Sequence, residues 1–505
     1  MLTNMVLYTI FGLYAIASIG LFTYGVNCYW LLYIFLRNHR QQVVQDRRML
    51  RRFYATGGME KLPVVTTQLP VFNEANVIER LIRSVCAIEY PAGKHEIQVL
   101  DDSIDGSESI AMALVEEMRA LGHDIVLIHR THRKDYKAGA LNEGMDKARG
   151  EFLAIFDADF VPPSDYLLRT VPFLCMNEQY GLVQARWGHL NSRQSSLTLA
   201  QSIGIDGHFV IEQSARSWGS LFMNFNGTAG VWRKTAIESA GGWEGDTLTE
   251  DMDLSYRAQL AGWKMKFAYD VVVPAELPAD INAFKSQQFR WAKGSIQTAM
   301  KLLPKVLKSN QPLKVKLQAI LHTTHYSIHP LMLLTALLAL PLLYWFPFKV
   351  STLAFTGLCV LIVISSLAPT ILYLVAQRMS SKDWKNRMLS LPTLMAVGVG
   401  VAFNNTRAVL SALSGNKGTF VRTPKAGDKG VKVAATYHKT KFPVASAIEL
   451  ALGVYCLIGF FHYTLAEKYL VGPFLGLYAV GFLVVGVMSL SHYLRTQAAL
   501  KSNEG

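Results

Sequence analysis

The sequence is poor in cysteine and in charge, and both shortages limit what the protein can be. Its five cysteines are scattered along 505 residues without a CxxC pair, so the pattern indicates neither a zinc site nor a disulfide framework. Charged residues form 17% of the chain, whereas about a quarter is usual in soluble domains. The net charge of +13 comes without a nucleic-acid-binding motif, and we expect no nucleic-acid partner. The composition therefore favours a membrane protein.

Long apolar runs account for the low charge. Each is long enough for the roughly 20 residues that cross a bilayer. The first run is too long for a signal peptide and lacks a charged start and a small-residue cleavage site, so we expect a retained anchor. Segment 60–280 has no such run and is expected to be a soluble domain. The runs cover residues 5–36, 318–346, 352–376, 443–463 and 471–494.

Basic residues beside these runs set the expected orientation. Arg37, Arg40 and further arginines follow the first run, and positive flanks stay in the cytoplasm. Segment 388–413 is short and contains Pro392. If it spanned, the basic loop 415–442 would lie outside, so we expect an interfacial or re-entrant helix instead. With the soluble domain and loop 415–442 both in the cytoplasm, the apolar runs predict five membrane spans. We expect a multi-pass protein of a bacterial inner membrane. The expected parts are an anchor (1–40), the soluble domain (41–282), interfacial helices (283–312), spans two and three (313–378), an interfacial helix with a loop (379–442), spans four and five (443–495) and a tail (496–505).

The soluble segment alternates short, apolar, strand-like runs with helical stretches. This alternation predicts a doubly wound α/β sheet, in which ligands bind beyond the carboxyl ends of the strands. Expected strands cover 64–72, 96–103, 124–130 and 151–160, and expected helices cover 75–88, 107–120, a stretch from Lys137, and 165–175. The strand ends carry Asp101, Asp102, Asp157 and Asp159. We therefore expect a ligand site along this edge.

Two acidic motifs stand at those strand ends. In "FDADF", Asp157 and Asp159 are one residue apart after an apolar strand. That spacing suits Mg²⁺ or Mn²⁺, because hard cations take one or two carboxylates plus substrate phosphates; a solvated turn is the plainer alternative. In "LDDS", Asp101 and Asp102 suit hydrogen bonds to a base or a ribose.

A third acidic motif, "TLTEDMD", places Thr249 directly before Glu250, Asp251 and Asp253. Thr249 is expected to cap a helix whose first turn carries the three acids. The acids either complement the helix dipole or supply a general base, for which a positioned carboxylate is suitable. The motif alone leaves both interpretations open.

The motifs together are more specific than any one of them. The ordered set of Asp102, "DAD", "TED" and a QxxRW formed by Gln287, Arg290 and Trp291 resembles the membrane-embedded family 2 glycosyltransferases, which include cellulose, hyaluronan and chitin synthases. The likeness is densest over residues 62–300, where "YKAGALNEGM", "LVQARW" and "FNGTAGVWR" look like plant cellulose-synthase-like mannan and glucan synthases. The resemblance implies a GT-A fold, a Rossmann-like nucleotide-sugar domain inserted into an α-helical multi-pass membrane domain.

The resemblance also implies roles for individual residues. Nucleotide-sugar binding would fall to Asp101, Asp102, Lys137 and Asp157, and metal binding to Asp159. Catalysis would fall to Glu250, Asp251, Gln287, Arg290 and Trp291, with Asp251 deprotonating the acceptor hydroxyl. A guanidinium suits a diphosphate leaving group, and an indole face suits stacking on a sugar ring at the mouth of a channel.

A basic loop resembles the gating loop, patterned FxVTxK, that the family's processive members carry. In "TFVRTPKAG", Phe420, Thr423 and Lys425 match the pattern, whereas Arg422 replaces its valine. The resemblance implies that the three matching residues join the nucleotide-sugar site.

The activity implied is inverting transfer of hexose from UDP-glucose or GDP-mannose to a growing β-linked polysaccharide, extruded through the membrane domain, with Mg²⁺ or Mn²⁺ as cofactor. A lipid acceptor that receives one sugar is the alternative, because QxxRW is shared with ceramide-type glucosyltransferases. A transporter or scaffold with an inactive transferase domain is more remote. Its expected mark is loss of Asp159, Asp251 or Arg290, and all three are present.

Overall fold

A computed structural model describes residues 2–345, 352–416, 418, 427, 444–469 and 471–504 of the chain. It contains one α/β domain preceded by a long helix and followed by a series of mostly apolar helices. The first helix, α1 (Leu2–Ala55), continues without a break from the first apolar run into the basic segment after it.

The domain is organised around one mixed sheet. In the described residues its strands are β1 (Val65–Val71), β2 (His95–Asp101), β3 (Ile125–His129), β4 (Phe152–Ile155), β5 (Tyr180–His189), β6 (Gly230–Arg233) and β7 (Lys264–Ala275). Their order is β3-β2-β1-β4-β6-β5-β7. Strands β1 to β4 are parallel, while β6 runs antiparallel to both β4 and β5. The predicted α/β fold is confirmed, and the reversed β6 is an addition that the motif pattern did not predict.

Helices cover both faces of this sheet. They are α2 (Ile78–Cys86), α3 (Ser107–Ala120), α4 (Tyr136–Lys147), α5 (Tyr166–Met176), α6 (Ser196–Asp206), α7 (Ser214–Trp218), α8 (Lys234–Ser239) and α9 (Glu250–Leu260), with a π-helical segment at Gly207–Gln213 between α6 and α7. Alternate residues of a strand point to opposite faces. Accordingly Phe152 and Ala154 join a core with α2, α3 and α5, while Leu153 and Ile155 join a core with α4, α7 and α9.

The chain then continues as helices. They are α10 (Ile281–Lys308), α11 (Leu313–Thr323), α12 (Ile328–Trp345), α13 (Thr352–Ser380), α14 (Trp384–Met388), α15 (Leu391–Gly400), α16 (Ala402–Leu413), α17 (Val444–Leu465) and α18 (Gly472–Glu504). Asp280 caps α10, since its carboxylate accepts hydrogen bonds from the backbone N–H groups of Asn282 and Ala283 at 2.8 and 2.9 Å.

Five helical stretches among the described residues are long and apolar enough to cross a membrane. They are Tyr8–Ala55, His325–Tyr344, Trp384–Leu413, Val444–Leu465 and Gly472–Arg495. The third includes segment 388–413, so its length and composition also suit a span, although the helix changes at Val401 between α15 and α16. Helix α13 covers the apolar run 352–376. The number of spans and the interfacial placement of 388–413 stay predictions.

Candidate active site

The strand ends named by the sequence meet at one edge of the sheet. Asp101 is the last residue of β2 and stands opposite Val71 of β1. On the other side of β1, Ile155 of β4 stands opposite Gln68, and Asp157 follows two residues later. The parallel register therefore brings the "LDDS" and "FDADF" motifs to the same carboxyl-end edge, where ligands of such sheets bind.

Lys137 links the strand ends to the rest of the site. Its ammonium contacts Asp157 Oδ1 and donates a 2.7 Å hydrogen bond to the carbonyl oxygen of Gly227. Burial by itself lowers the pKa of Lys137, but the carboxylates of Asp157, Glu250 and Asp251 outweigh it and raise that pKa. Lys137 is therefore a firmly charged cation between the "DAD" and "TED" motifs.

Asp251 stands in the first turn of α9, where a base was expected. Burial and then the neighbouring charge of Glu250 raise the pKa of Asp251 to about 7, although Lys137 and Arg290 act in the opposite direction. One carboxylate oxygen accepts a 2.8 Å hydrogen bond from the backbone N–H of Met252. A carboxylate with a pKa close to neutrality is well matched to general base catalysis.

Close packing of α10 against the "TED" turn places Arg290 beside this carboxylate. A Cβ at Gly294 would lie 2.5 Å from Thr249 Cγ2 and 2.8 Å from the Thr249 backbone nitrogen, so only glycine allows this approach. The sequence suggested that Thr249 caps α9 through its side chain, but the Thr249 hydroxyl makes no such capping hydrogen bond. Its hydroxyl lies 3.2 Å from the hydroxyl of Thr298 on α10, because the packed helix offers a nearer partner.

The remaining residues of QxxRW lie on the same helix. Gln287 and Trp291 flank Arg290 on α10, and all three side chains are partly exposed. Their partial exposure beside Asp251 leaves room for an acceptor. The expected roles of Gln287, Arg290 and Trp291 in binding a diphosphate and a sugar stay predictions.

The two acids of "LDDS" are held by basic partners that the motif did not indicate. Asp101 is fully buried and accepts from His129 Nδ1 at 2.7 Å. Asp102 is 5% exposed, and its two carboxylate oxygens accept hydrogen bonds from Arg130 Nε and Nη2 at 2.7 and 2.6 Å. Asp101 thus orients His129 at the end of β3, and any nucleotide contact by Asp101 or Asp102 stays a prediction. The rule that ligands bind at strand ends would also have selected His129 and Arg130.

An aromatic and cationic group lies next to them. The guanidinium of Arg133 sits 3.3 Å from the centre of the Phe72 ring and 5.0 Å from that of Tyr136. Cation and ring faces of this kind can stack on a planar base. Phe72 follows β1 directly, so this group belongs to the same edge of the sheet as Asp102.

Asp159 lies in the "DAD" loop, next to the residue that follows β7. Its backbone carbonyl accepts a 3.2 Å hydrogen bond from the N–H of Glu276, and its side chain is partly exposed. The expected loop residues Phe420, Thr423 and Lys425 lie outside the described residues. Within the described part, Gly427 donates its backbone N–H to the carboxylate of Glu276 at 3.2 Å.

Comparison with known proteins agrees with this geometry. The family "Glycosyltransferase like family 2" matches residues 63–294. Glucomannan 4-beta-mannosyltransferase 1 of Oryza sativa subsp. japonica is 43% identical over 258 residues, which cover 50% of this chain and 50% of that protein. Glucomannan 4-beta-mannosyltransferase 7 of Arabidopsis thaliana is 40% identical over 275 residues, which cover 52% and 50%. The chain spans about half the length of the curated relatives it matches.

A more distant likeness concerns solved structures. The mannosyltransferase PcManGT from Pyrobaculum calidifontis, solved in complex with GDP-Man and Mn2+, is 19% identical, with a TM-score of 0.48 over 76% of this chain and 99% of that one. The plant origin of the curated relatives gives no support to the expected bacterial inner membrane. The family match and the arrangement of the strand-end acids agree, and the chain carries a glycosyltransferase domain of family 2 over residues 63–294.

Proposed function

We propose that this chain is an inverting mannosyltransferase that transfers mannose from GDP-mannose to a growing β-linked polysaccharide. The observation that carries the proposal is the cation bridge at Lys137, which joins the "DAD" loop, the Gly227 carbonyl and the surroundings of Asp251 into one site. The mannosyl donor is supported by the names of the plant relatives, which are 40 to 44% identical over half of the chain. UDP-glucose is the other donor to test.

Asp251 is the proposed base. Its pKa of about 7 leaves a substantial ionised fraction at neutral pH together with a useful affinity for a proton. The carboxylate takes the proton of the acceptor hydroxyl, and that oxygen attacks the anomeric carbon from the side opposite the nucleotide. The bond from that carbon to the diphosphate breaks in the same step, which inverts the configuration.

The cations of the site stabilise the departing nucleoside diphosphate. Lys137 is charged and lies beside Asp157, and Arg290 is close enough to Asp251 to lower the pKa of that residue. Fixed charges directed at the place where negative charge develops usually contribute the largest single part of catalysis. Arg290 can also form paired hydrogen bonds to phosphate oxygens.

The "DAD" loop fits a divalent cation. Asp157 and Asp159 supply hard carboxylate oxygens one residue apart, both partly exposed at the ligand edge. Because Lys137 already contacts Asp157, we assign the metal chiefly to Asp159. A bound Mg²⁺ or Mn²⁺ would neutralise diphosphate charge there.

The acceptor is proposed to be a polymer that leaves through the membrane helices. Arg290 and Trp291 lie on α10, and α10 packs against α16 and α18, so the acceptor side of the site borders the apolar helices. The same arrangement suits a lipid acceptor, which is the second candidate. We place the catalytic domain on the cytoplasmic side of a membrane, in keeping with the arginines that follow the first apolar run.

The test uses the purified full chain with a panel of radiolabelled nucleotide sugars, including GDP-mannose and UDP-glucose. We expect incorporation from GDP-mannose into a product of many sugars, and none with Asp251→Asn. Incorporation from UDP-glucose alone would contradict the donor assignment. A product with one sugar on a lipid would replace the polymer by the lipid acceptor, and no incorporation from any donor would overturn the proposal.

A further inference from the structure

The π-helical segment Gly207–Gln213 carries an acid and a histidine that the proposed mechanism does not use. Long π-helical turns are rare, and they occur frequently at functional sites. The carboxylate of Glu212 lies 2.9 Å from His208 Nδ1. The segment packs against α1 and α13 on one side and against β5 on the other. It therefore stands between the apolar helices and the transferase sheet.

The pair extends into a defined chain of hydrogen bonds. His208 Nε2 lies 3.0 Å from Asn226 Nδ2, and Asn226 Oδ1 accepts from Gln213 Nε2 at 2.5 Å. An amide nitrogen donates and does not accept, so His208 Nε2 is the acceptor and its proton is on Nδ1. That proton is donated to Glu212. The carboxylate thus selects the tautomer that can hold Asn226.

Glu212 is suited to this task. Burial raises the pKa of its carboxyl, whereas the hydrogen bond from His208 and the charge of Arg216 lower it, and the net shift of that pKa is downward. An ionised carboxylate accepts hydrogen bonds only, so it fixes the orientation of the imidazole.

Asn226 stands one residue before the most constrained point of the proposed site. Gly227 has φ +82° and accepts the hydrogen bond of Lys137. A Cβ at Gly227 would lie 3.2 Å from Asp251 Oδ2, so its backbone already borders the proposed base. Asn226 therefore joins the chain from His208 to the backbone that accepts the Lys137 hydrogen bond and borders the Asp251 pocket.

We propose that Glu212 and His208 are positioning residues, which act through Asn226 to fix Gly227 between Lys137 and Asp251. This inference rests on the proposed sugar transfer. The chain runs from a segment packed on the apolar helices to the reacting centre, and a displacement approaching 1 Å at such a centre costs on the order of 10²-fold in rate.

Two conservative variants of His208 separate its two hydrogen bonds. A glutamine amide reaches about as far as Nε2, so His208→Gln keeps an acceptor for Asn226 and loses the bond to Glu212. An asparagine amide reaches only about as far as Nδ1, so His208→Asn keeps the bond to Glu212 and loses Asn226. The positioning role predicts that His208→Asn lowers kcat by about 10- to 10²-fold, with KM for the nucleotide sugar changed less than about twofold, while His208→Gln retains most of kcat.

A second pair of the same kind provides the control. His189 Nε2 lies 2.9 Å from Asp206 Oδ1, and Asp206 is bound in turn by Gln377 and Arg387. The bonds of this pair lead to α13 and α14 rather than towards the Gly227 loop. An asparagine amide reaches only about as far as Nδ1, so His189→Asn removes this Nε2 hydrogen bond. We expect its kcat to follow only the loss in thermal stability.

The experiment measures sugar transfer and thermal unfolding of the full chain in detergent for each variant. A wild type without transfer overturns the proposed function and this inference with it. An active wild type with equal kcat for His208→Asn and His208→Gln overturns the inference alone, as does a loss in His189→Asn that matches the loss in His208→Asn. Glu212→Leu should lower kcat in the same direction as His208→Asn.

Discussion

Replacing Gly227 by alanine tests the geometry on which the proposed site depends. Gly227 has φ +82°, which glycine adopts freely and other residues rarely. The new methyl group would stand 3.2 Å from Asp251 Oδ2 and 3.5 Å from Lys137 Nζ. The substitution therefore adds backbone strain and crowds the proposed base at the same time.

The two effects have different sizes and different readouts. A non-glycine residue in the left-handed region costs about 1 to 2 kcal/mol, which lowers stability without abolishing folding. The contact at 3.2 Å is tighter than most real Cβ contacts, so the carboxylate must yield by a few tenths of an ångström. Misplacement of a reacting group by about 1 Å costs around 10²-fold. We expect a loss in kcat of about 10-fold or more.

Gly122→Ala is the matched control for strain. Gly122 has φ +92° in the turn after α3, and a Cβ there would meet no atom within 4 Å. Both variants should lower the unfolding temperature by similar amounts, and only Gly227→Ala should lower kcat beyond that. Steady-state transfer and thermal unfolding of both proteins provide the comparison. Normal kcat in Gly227→Ala, or an equal loss in Gly122→Ala, would refute the placement of Asp251 against this loop.

Three further predictions use other parts of the chain. Because the base must be ionised and the pKa of Asp251 is raised to about 7, kcat/KM should fall as pH drops through that value. Glu250→Gln removes the like charge and should move the fall to lower pH, and an unmoved profile would exclude that charge as a cause. Asp159→Ala and excess EDTA should each abolish transfer, whereas full activity in chelator contradicts the metal assignment. A cysteine placed within 415–442 should resist an impermeant thiol reagent in intact cells, and labelling from outside would mean that 388–413 crosses the membrane.

Local patterns predicted the elements that frame the site. Helix α3 covers the expected residues 107–120, and β2 ends at Asp101 within the expected strand 96–103. Strand periodicity and the strand-end rule depend on neighbouring residues only. For that reason the residue pattern was sufficient to place "LDDS", "FDADF" and "TED" on their elements.

Contacts between distant segments could not be predicted in this way. Gly227 accepts from Lys137, 90 residues earlier in the chain, and Thr249 meets Thr298 on α10 instead of capping α9. The chain from His208 to Asn226 depends on a π-helical turn, for which the residue pattern has no recognised signal. Small residues in "FNGTAGVWR" were the available hint, because they allow a backbone to approach a partner closely.

The boundary between the transferase and the membrane part is also a matter of packing. The sequence divides an anchor from a soluble domain near residue 40, yet α1 crosses that point as one helix. Phe35 of α1 stacks on Trp218 with ring centres 5.5 Å apart, and it shares one hydrophobic core with Leu153 of β4 and Leu372 of α13. The same core contains Phe209 and Val210 of the π-helical segment. The loop beside Asp251 is thus connected, through the π-helical segment, to a core that the apolar helices share.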